Sequence, residues 1–277
     1  MKTILVPTDF SKVSNNAVDY AAEVALLTNA KMILFNTYHI PAMVTEAAIA
    51  VIPDLDELER ISMLALKDIE KRLALSYGKK LQIECVSKCG FASDEINSYA
   101  NEVNANMIVM GIHGAGYLAE KIIGSVTTEL MQSSKCPVLA ISEHVRYKVV
   151  KKIALAYDYN VTETDKTLES IKEIARLFKA HVYVLNIEQE LQTLASSAGQ
   201  VVSGFIKLQN SLANIDHSFH FVTTEKVVDG INEFVEMTDV DMVIMIPKKH
   251  SILKNVFNEP NTKQMAFHSK VPLLALH

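Results

Sequence analysis

The hydrophobic pattern runs twice through this chain. Lys2-Thr3-Ile4-Leu5-Val6-Pro7-Thr8-Asp9 aligns with Lys151-Lys152-Ile153-Ala154-Leu155-Ala156-Tyr157-Asp158, and in both an apolar strand ends at an aspartate. A helical pattern follows each, with Ala17, Ala21, Ala22 and Ala25 on one face in the first copy and Leu168, Ile171, Ile174 and Ala175 in the second. Next come the strands Ala30 to Asn36 and Ala180 to Asn186, both ending in asparagine. The later parts align without a gap over more than thirty residues, Asn106 to Met110 with Asp241 to Met245 and Lys135 to Ala140 with Lys270 to Ala275. The period predicts an amphipathic helix over Leu55 to Tyr77, a strand over Leu81 to Val86 and a helix over about Ala92 to Val103.

Each repeat therefore reads as five short apolar strands alternating with helices. That order predicts an α/β fold, two tandem doubly wound domains, each with a mostly parallel five-stranded sheet covered by helices and ligands at the carboxyl ends of its strands. The boundaries are expected at residues 1–145 and 149–277, joined near Ser142 to Val149 by a linker without Gly or Pro that holds the domains side by side. The last strands, Val138 to Ile141 and Leu273 to Leu276, would leave apolar edges unless they paired with each other as an intramolecular pseudo-dimer, or between chains in a homodimer.

Length agrees with two domains, since 277 residues allow a separate core for each. The net charge of −5 is spread as 12 basic against 17 acidic residues up to position 145 and 15 against 15 beyond it, so neither half offers a nucleic-acid surface. An anion would have to be held by backbone N–H groups and a helix dipole. Pro7 and Asp9 interrupt the N-terminal run far short of a signal peptide, and Ala47 to Ile52 is too short to span a membrane. A cytoplasmic protein is expected, and the sparse cysteines Cys85, Cys89 and Cys136 fit a reducing compartment. Cys85 lies in a strand and reads as structural rather than as half of a metal site with Cys89.

The segment Met110 to Thr127 carries the chemistry. Gly111 and Gly114 follow a strand, where bare backbone lets a ligand approach and permits positive φ. Gly124-Ser125 then opens a helix over Val126 to Ser133, whose free N–H groups suit phosphate oxygens, with Ser125 and Thr127 able to add hydroxyl donors. His113 is either a phosphate contact or a solvated neighbour. Neither a P-loop nor a dinucleotide turn follows the first strand. His217 and His220 fall on opposite faces of a strand, Lys248-Lys249-His250 reads as a solvated basic loop, and the sequence names no nucleophile, base and orienting group and no metal ligands.

Gly111, two residues, Gly114, nine residues, then Gly124-Ser125 resembles the ATP motif of the universal stress protein family, and Pro7-Thr8-Asp9-Phe10-Ser11 is similar to the family's other signature. The resemblance covers essentially both repeats. It implies ATP with Mg²⁺ as ligand, with Gly111, Gly114, Gly124, Ser125 and Thr127 at phosphates and ribose, and Asp9 and the backbone near Thr37 at the adenine. Met110 and Val126 match positions that flank the family's site. Asp9 could equally be the N-cap of the following helix. The implied function is a nucleotide-binding stress-response regulator, with a slow Mg²⁺-dependent ATPase and a nucleotide-free interaction scaffold as alternatives. In the second repeat Ile246, Lys249, Glu259 and Pro260 stand opposite Gly111, Gly114, Gly124 and Ser125, which predicts a lost site.

Overall fold

The computed structural model describes residues 2–39, 54–112, 124–158, 164–188, 198–225, 227–247 and 270–277. The first half runs β1 (Thr3–Pro7), α1 (Lys12–Thr28), β2 (Lys31–Tyr38), α2 (Leu55–Tyr77), β3 (Gln82–Cys89), α3 (Ala92–Glu102), β4 (Met107–Gly111), α4 (Ser125–Ser133) and β5 (Val138–Ile141). The second runs β6 (Lys152–Tyr157), α5 (Asp165–Phe178), β7 (His181–Glu188), α6 (Ala198–Ser211), β8 (His217–Thr223), α7 (Val227–Thr238), β9 (Met242–Met245) and β10 (Leu273–Ala275). The last helix expected of the second repeat falls on residues 248–269, outside the described residues.

These strands form one sheet in the order β3-β2-β1-β4-β5-β10-β9-β6-β7-β8. Every neighbouring pair is parallel except β5 with β10, which run antiparallel with Leu273 opposite Ala140, Leu274 opposite Leu139 and Ala275 opposite Val138. The apolar last strands thus cover each other's edges. Side chains alternate across the seam, so Leu139 and Leu274 join one apolar layer while Val138, Ala140, Leu273 and Ala275 join the other. Both layers run unbroken from one half into the other.

Local chemistry repeats along with topology. α1 and α5 both end on a left-handed residue, Asn29 at φ 49° and Lys179 at φ 51°, after which Ala30 N donates to Ala25 O and Ala180 N to Ala175 O. This closing turn satisfies carbonyls that a helix end would otherwise leave bare. The first strands are buried on both faces, with Ile4, Leu5, Val6, Ile153, Ala154 and Leu155 at 0% exposure, as central strands of a covered parallel sheet must be.

The linker between β5 and β6 is held by α1. Asn16, buried in that helix, donates to the carbonyls of Ser142 (2.6 Å) and Val145 (2.7 Å) and accepts from Arg146 (2.6 Å). Tyr20 one turn later meets Tyr147 edge to face at 5.3 Å. Burial first, then the neighbouring Tyr147 and Asp241, pushes the Tyr20 hydroxyl well above the ordinary tyrosine range, so it stays neutral.

Candidate functional site

In the first half the chain builds outward from β1 through β2 to β3, then returns to place β4 and β5 on the other side of β1. The crevice beyond the carboxyl ends of β1 and β4 is therefore the switch point at which open α/β sheets bind ligands. Pro7 and Thr8 are buried at the end of β1, while Asp9 is exposed. Thr8 N donates to Phe35 O (2.8 Å), the Thr8 hydroxyl donates to Ser14 Oγ (3.1 Å), and it accepts from Phe10 N (3.1 Å). Phe10 takes φ 65°, a left-handed conformation uncommon outside glycine, which turns the chain sharply into α1.

Ser11, not Asp9, is the N-cap of α1, its side chain accepting from Ser14 N at 3.2 Å. The capping alternative for Asp9 is thereby corrected: its carboxylate accepts from Ser11 N (3.1 Å), ahead of the helix, and stays at the exposed mouth of the turn. Thr37 is half-buried at the end of β2, beside Asn36. The asparagine that ends this strand is a brace: Asn36 Nδ2 donates to Thr8 O (2.7 Å), and its Oδ1 accepts from Ser62 (2.6 Å), which in turn accepts from Ser87 (2.6 Å). This buried relay ties β1, β2, α2 and β3 beneath the mouth of the crevice. Sequence alone gave no sign of Ser62 and Ser87, because they reach Asn36 only through strand register.

On the β4 side, Met110, Gly111 and Ile112 are buried. Ile112 N donates to Ile141 O (2.9 Å) and Gly124 N donates to Ile112 O (2.7 Å), which ties the residue before α4 to the end of β4. Gly124 precedes α4 with φ −63° and ψ 152°, and no side chain caps that helix among the described residues. Ser125 is exposed at its first position and Val126 is half-buried. Thr127 is buried and donates its hydroxyl to Gly111 O (2.9 Å), so its proton locks α4 to the end of β4. His113 and Gly114 lie outside the described residues.

Gly111 is tightly packed. A Cβ there would meet Val13 Cγ1 at 3.0 Å and Ser14 N and Val13 C at 3.1 Å, so what approaches this bare backbone is the first turn of α1. Neither Gly111 nor Gly124 has positive φ, which removes backbone conformation as their reason for being glycine. In the second half Ile246 is buried at 2% exposure in the apolar layer that also holds Leu168 and Ile171 of α5. That helix is capped by Thr164, six residues after Asp158, whereas α1 is capped by Ser11, two residues after Asp9, so more chain separates strand from helix there. Asp158 is buried at 5% exposure where Asp9 is exposed, and Tyr157, standing opposite Thr8, is buried at 3%. Lys249, Glu259, Pro260 and the basic loop at 248–250 lie outside the described residues.

Elsewhere, Cys85 is half-buried, Cys89 exposed and Cys136 buried. Burial, then the Glu70 carboxylate, pushes the Cys85 thiol up to about 11, and burial pushes Cys136 up to about 12. Both are held as thiols. Among the described residues no cluster of three or more metal-binding side chains occurs, and no helix is long and apolar enough to cross a membrane.

Comparison with known proteins adds the lineage. The model of the universal stress protein family matches residues 1–142 and again residues 150–277. A universal stress protein of Synechocystis is 30% identical over 142 residues, covering 50% of this chain and 85% of that protein. A universal stress protein of Bacillus subtilis, YxiE, is 29% identical over 143 residues, covering 50% of this chain and 97% of that protein. The crystal structure of a universal stress protein from Archaeoglobus fulgidus superposes with a TM-score of 0.72 over 99% of this chain and 97% of that one, at 16% identity, which speaks to the fold.

Proposed function

The chain belongs to the universal stress protein family, and on that footing we propose that its N-terminal half binds ATP with Mg²⁺ as a regulatory ligand, and that the halves are two domains, residues 1–145 and 149–277. One observation carries the reading: among the described residues no side chain caps α4 at the β1–β4 switch point, and Ser125 is exposed. The open N–H groups of its first turn and the positive end of its dipole are what a polyphosphate needs.

The residues divide by role. Gly124, Ser125 and the backbone of Val126 would meet phosphate, with His113 and Gly114, as the motif implies, contributing from the preceding segment. Thr127 and Gly111 set the position of that turn, while Asp9 and the backbone at Thr37 would meet ribose and adenine. Met110, Pro7 and Thr8 form the buried floor. Mg²⁺ would be held chiefly by phosphate oxygens and water, as it usually is in nucleotide sites. The same reading places the protein in the cytoplasm, where the Mg²⁺ complex of ATP is abundant.

A ligand that binds only the folded state stabilises it by about 2.7 kcal/mol at one hundred times its dissociation constant. Millimolar ATP with Mg²⁺ should therefore raise the melting temperature of the full chain. An unchanged melting curve together with no heat on calorimetric titration would refute nucleotide binding. Phosphate release, measured beside a Gly124→Glu control, separates a slow ATPase from a binder.

A further inference from the structure

A second constellation lies at the opposite end of the sheet, at the amino ends of β7 and β8. Asp216, Ser218 and His220 alternate along the start of the sheet's last strand, and His181 and Tyr183 alternate on the neighbouring one, with Tyr183 opposite Ser218. Side chains two apart share a face, so the five come together on the side covered by α7. His181 Nδ1 stands 3.0 Å from Asp216 Oδ2, His181 Nε2 stands 2.9 Å from Ser218 Oγ, and Ser218 Oγ stands 3.0 Å from His220 Nε2.

The order of donors follows from the chemistry. An ionised carboxylate only accepts, so Nδ1 of His181 carries its proton and, in the neutral ring, Nε2 is left with a lone pair. Ser218 must then donate to His181, and its oxygen is free to accept from His220. This is a hydroxyl, a base and a group that orients the base, each within hydrogen-bond reach. Ser218, His181 and His220 are half-buried, and Asp216 is exposed. Tyr183 packs edge-on to His181 at 4.5 Å, and Phe234 of α7 lies 5.2 Å from His220, which gives the hydroxyl an aromatic wall.

The fold does not require this set. In the first half the positions equivalent to His181 and Ser218 are Lys31 and Glu84, which close the same strand junction with a plain ion pair. We propose that Asp216, His181 and Ser218 form an activated-serine site that takes an acyl group from small uncharged esters with an aromatic leaving group. As Ser218 Oγ bonds to the ester carbonyl carbon, its proton passes to His181 Nε2 and the carbonyl electron pair moves onto oxygen. Collapse expels the aryloxide, which takes that proton and leaves an acyl-serine. Water then attacks the acyl carbon, giving one proton to His181, which returns it to Ser218 as the carboxylic acid departs. The net change is ester plus water to acid plus phenol. Asp216 holds His181 in the productive tautomer and is a positioning residue.

The test uses the full chain with p-nitrophenyl acetate and with an aryl fluorophosphonate probe, mapping adducts by mass spectrometry. The expected result is an adduct on Ser218 that Ser218→Ala abolishes and that Asp216→Asn slows by at least about tenfold. Asp216 is exposed, so its variant tests the idea even if Ser218→Ala folds poorly. No adduct on Ser218 of the folded protein, or an unchanged rate in Asp216→Asn, would overturn the proposal and leave the hydrogen bonds as strand braces. ATP-induced stabilisation, read on the same samples, reports separately on the nucleotide site.

Discussion

Asn106 and Asp241 do the same work in the two halves. Asn106 Oδ1 accepts from Lys2 N (2.8 Å) and Thr3 N (3.0 Å), and Asp241 Oδ2 accepts from Lys151 N (2.8 Å) and Lys152 N (2.9 Å). Each side chain stands just before β4 or β9 and pins the start of the neighbouring first strand, β1 or β6. The second copy differs by carrying charge: Asp241 Oδ1 also pairs with Lys148 of the linker at 2.8 Å. Burial alone would raise the carboxyl, but the Lys148 ammonium and the two backbone N–H groups outweigh it and hold Asp241 below the usual aspartate range.

Replacing Asp241 should separate these two functions. Asp241→Ala strands two N–H groups at a partly buried site and should cost about 1–2 kcal/mol. Asp241→Asn keeps an acceptor, as Asn106 does, and should cost under about 1 kcal/mol through the half-exposed Lys148 pair. The folded-state value is depressed, so the ionised carboxylate stabilises the protein above the unfolded-state value near 3.8 and the benefit is lost as pH falls through the folded value. Urea unfolding should show the gap between wild type and Asp241→Asn closing below about pH 4. A gap that stays constant from neutral pH to about pH 2 would show that the charge contributes nothing.

Asn16 is the corresponding test of the linker. Asn16→Leu removes both donors from Ser142 O and Val145 O and the acceptor from Arg146. Unsatisfied buried polar groups cost about 1–3 kcal/mol each, so a loss of several kcal/mol is expected, to which the greater bulk of leucine adds. The linker should also become cleavable near Arg146 under limited trypsin digestion. Unchanged stability and an intact linker would show that α1 does not hold it.

The fold was legible because its signals are local and occur twice. Strand-length apolar runs, an amphipathic α2 and matching blocks such as Asn106 to Met110 against Asp241 to Met245 need no knowledge of tertiary contacts. The pairing of β5 with β10 followed from two apolar strands that would otherwise form edges. What sequence could not give were relationships that depend on register or on a neighbouring helix. Ser62 and Ser87 meet Asn36 across three elements, Ser11 displaces Asp9 as cap by two positions, and His181 meets Asp216 and Ser218 across two neighbouring strands. Gly111 fits the motif by spacing, yet its lack of a side chain answers to Val13 and Ser14.

Gly111→Ala follows from that contact. The new Cβ would sit 3.0–3.1 Å from Val13 and from backbone atoms of Val13 and Ser14, which cannot swing aside as a side-chain end could. Overpacking of this kind costs about 1–3 kcal/mol, and moving α1 would shift the turn that carries Asp9. Chemical denaturation should show the loss without ligand, and ATP titration should show weaker binding in the same variant. Full stability would mean that α1 yields freely at this point.

The second half should bind no ATP in the manner proposed for the first, so the full chain should take up one nucleotide. At its strand end Ile246 fills the apolar layer, Asp158 is buried and Tyr157 replaces the Thr8 hydroxyl that organises the first turn. The sequence adds Glu259 and Pro260 opposite Gly124 and Ser125, a carboxylate where phosphate would lie and a residue with no N–H to offer. Each lost polar contact is worth about 1 to 3 kcal/mol and every 1.4 kcal/mol is about tenfold in affinity, so these changes together weaken binding by orders of magnitude. Gly124→Glu imposes the second half's carboxylate on the first, and Gly124 has an extended φ of −63° that any residue can adopt. Calorimetry on the full chain should therefore give about one site in the wild type, the count expected if only the first half binds, and none in Gly124→Glu, whose unliganded melting curve is recorded alongside because Gly124 is buried. Two sites in the wild type, or one surviving in the variant, would place a working nucleotide site in the second half.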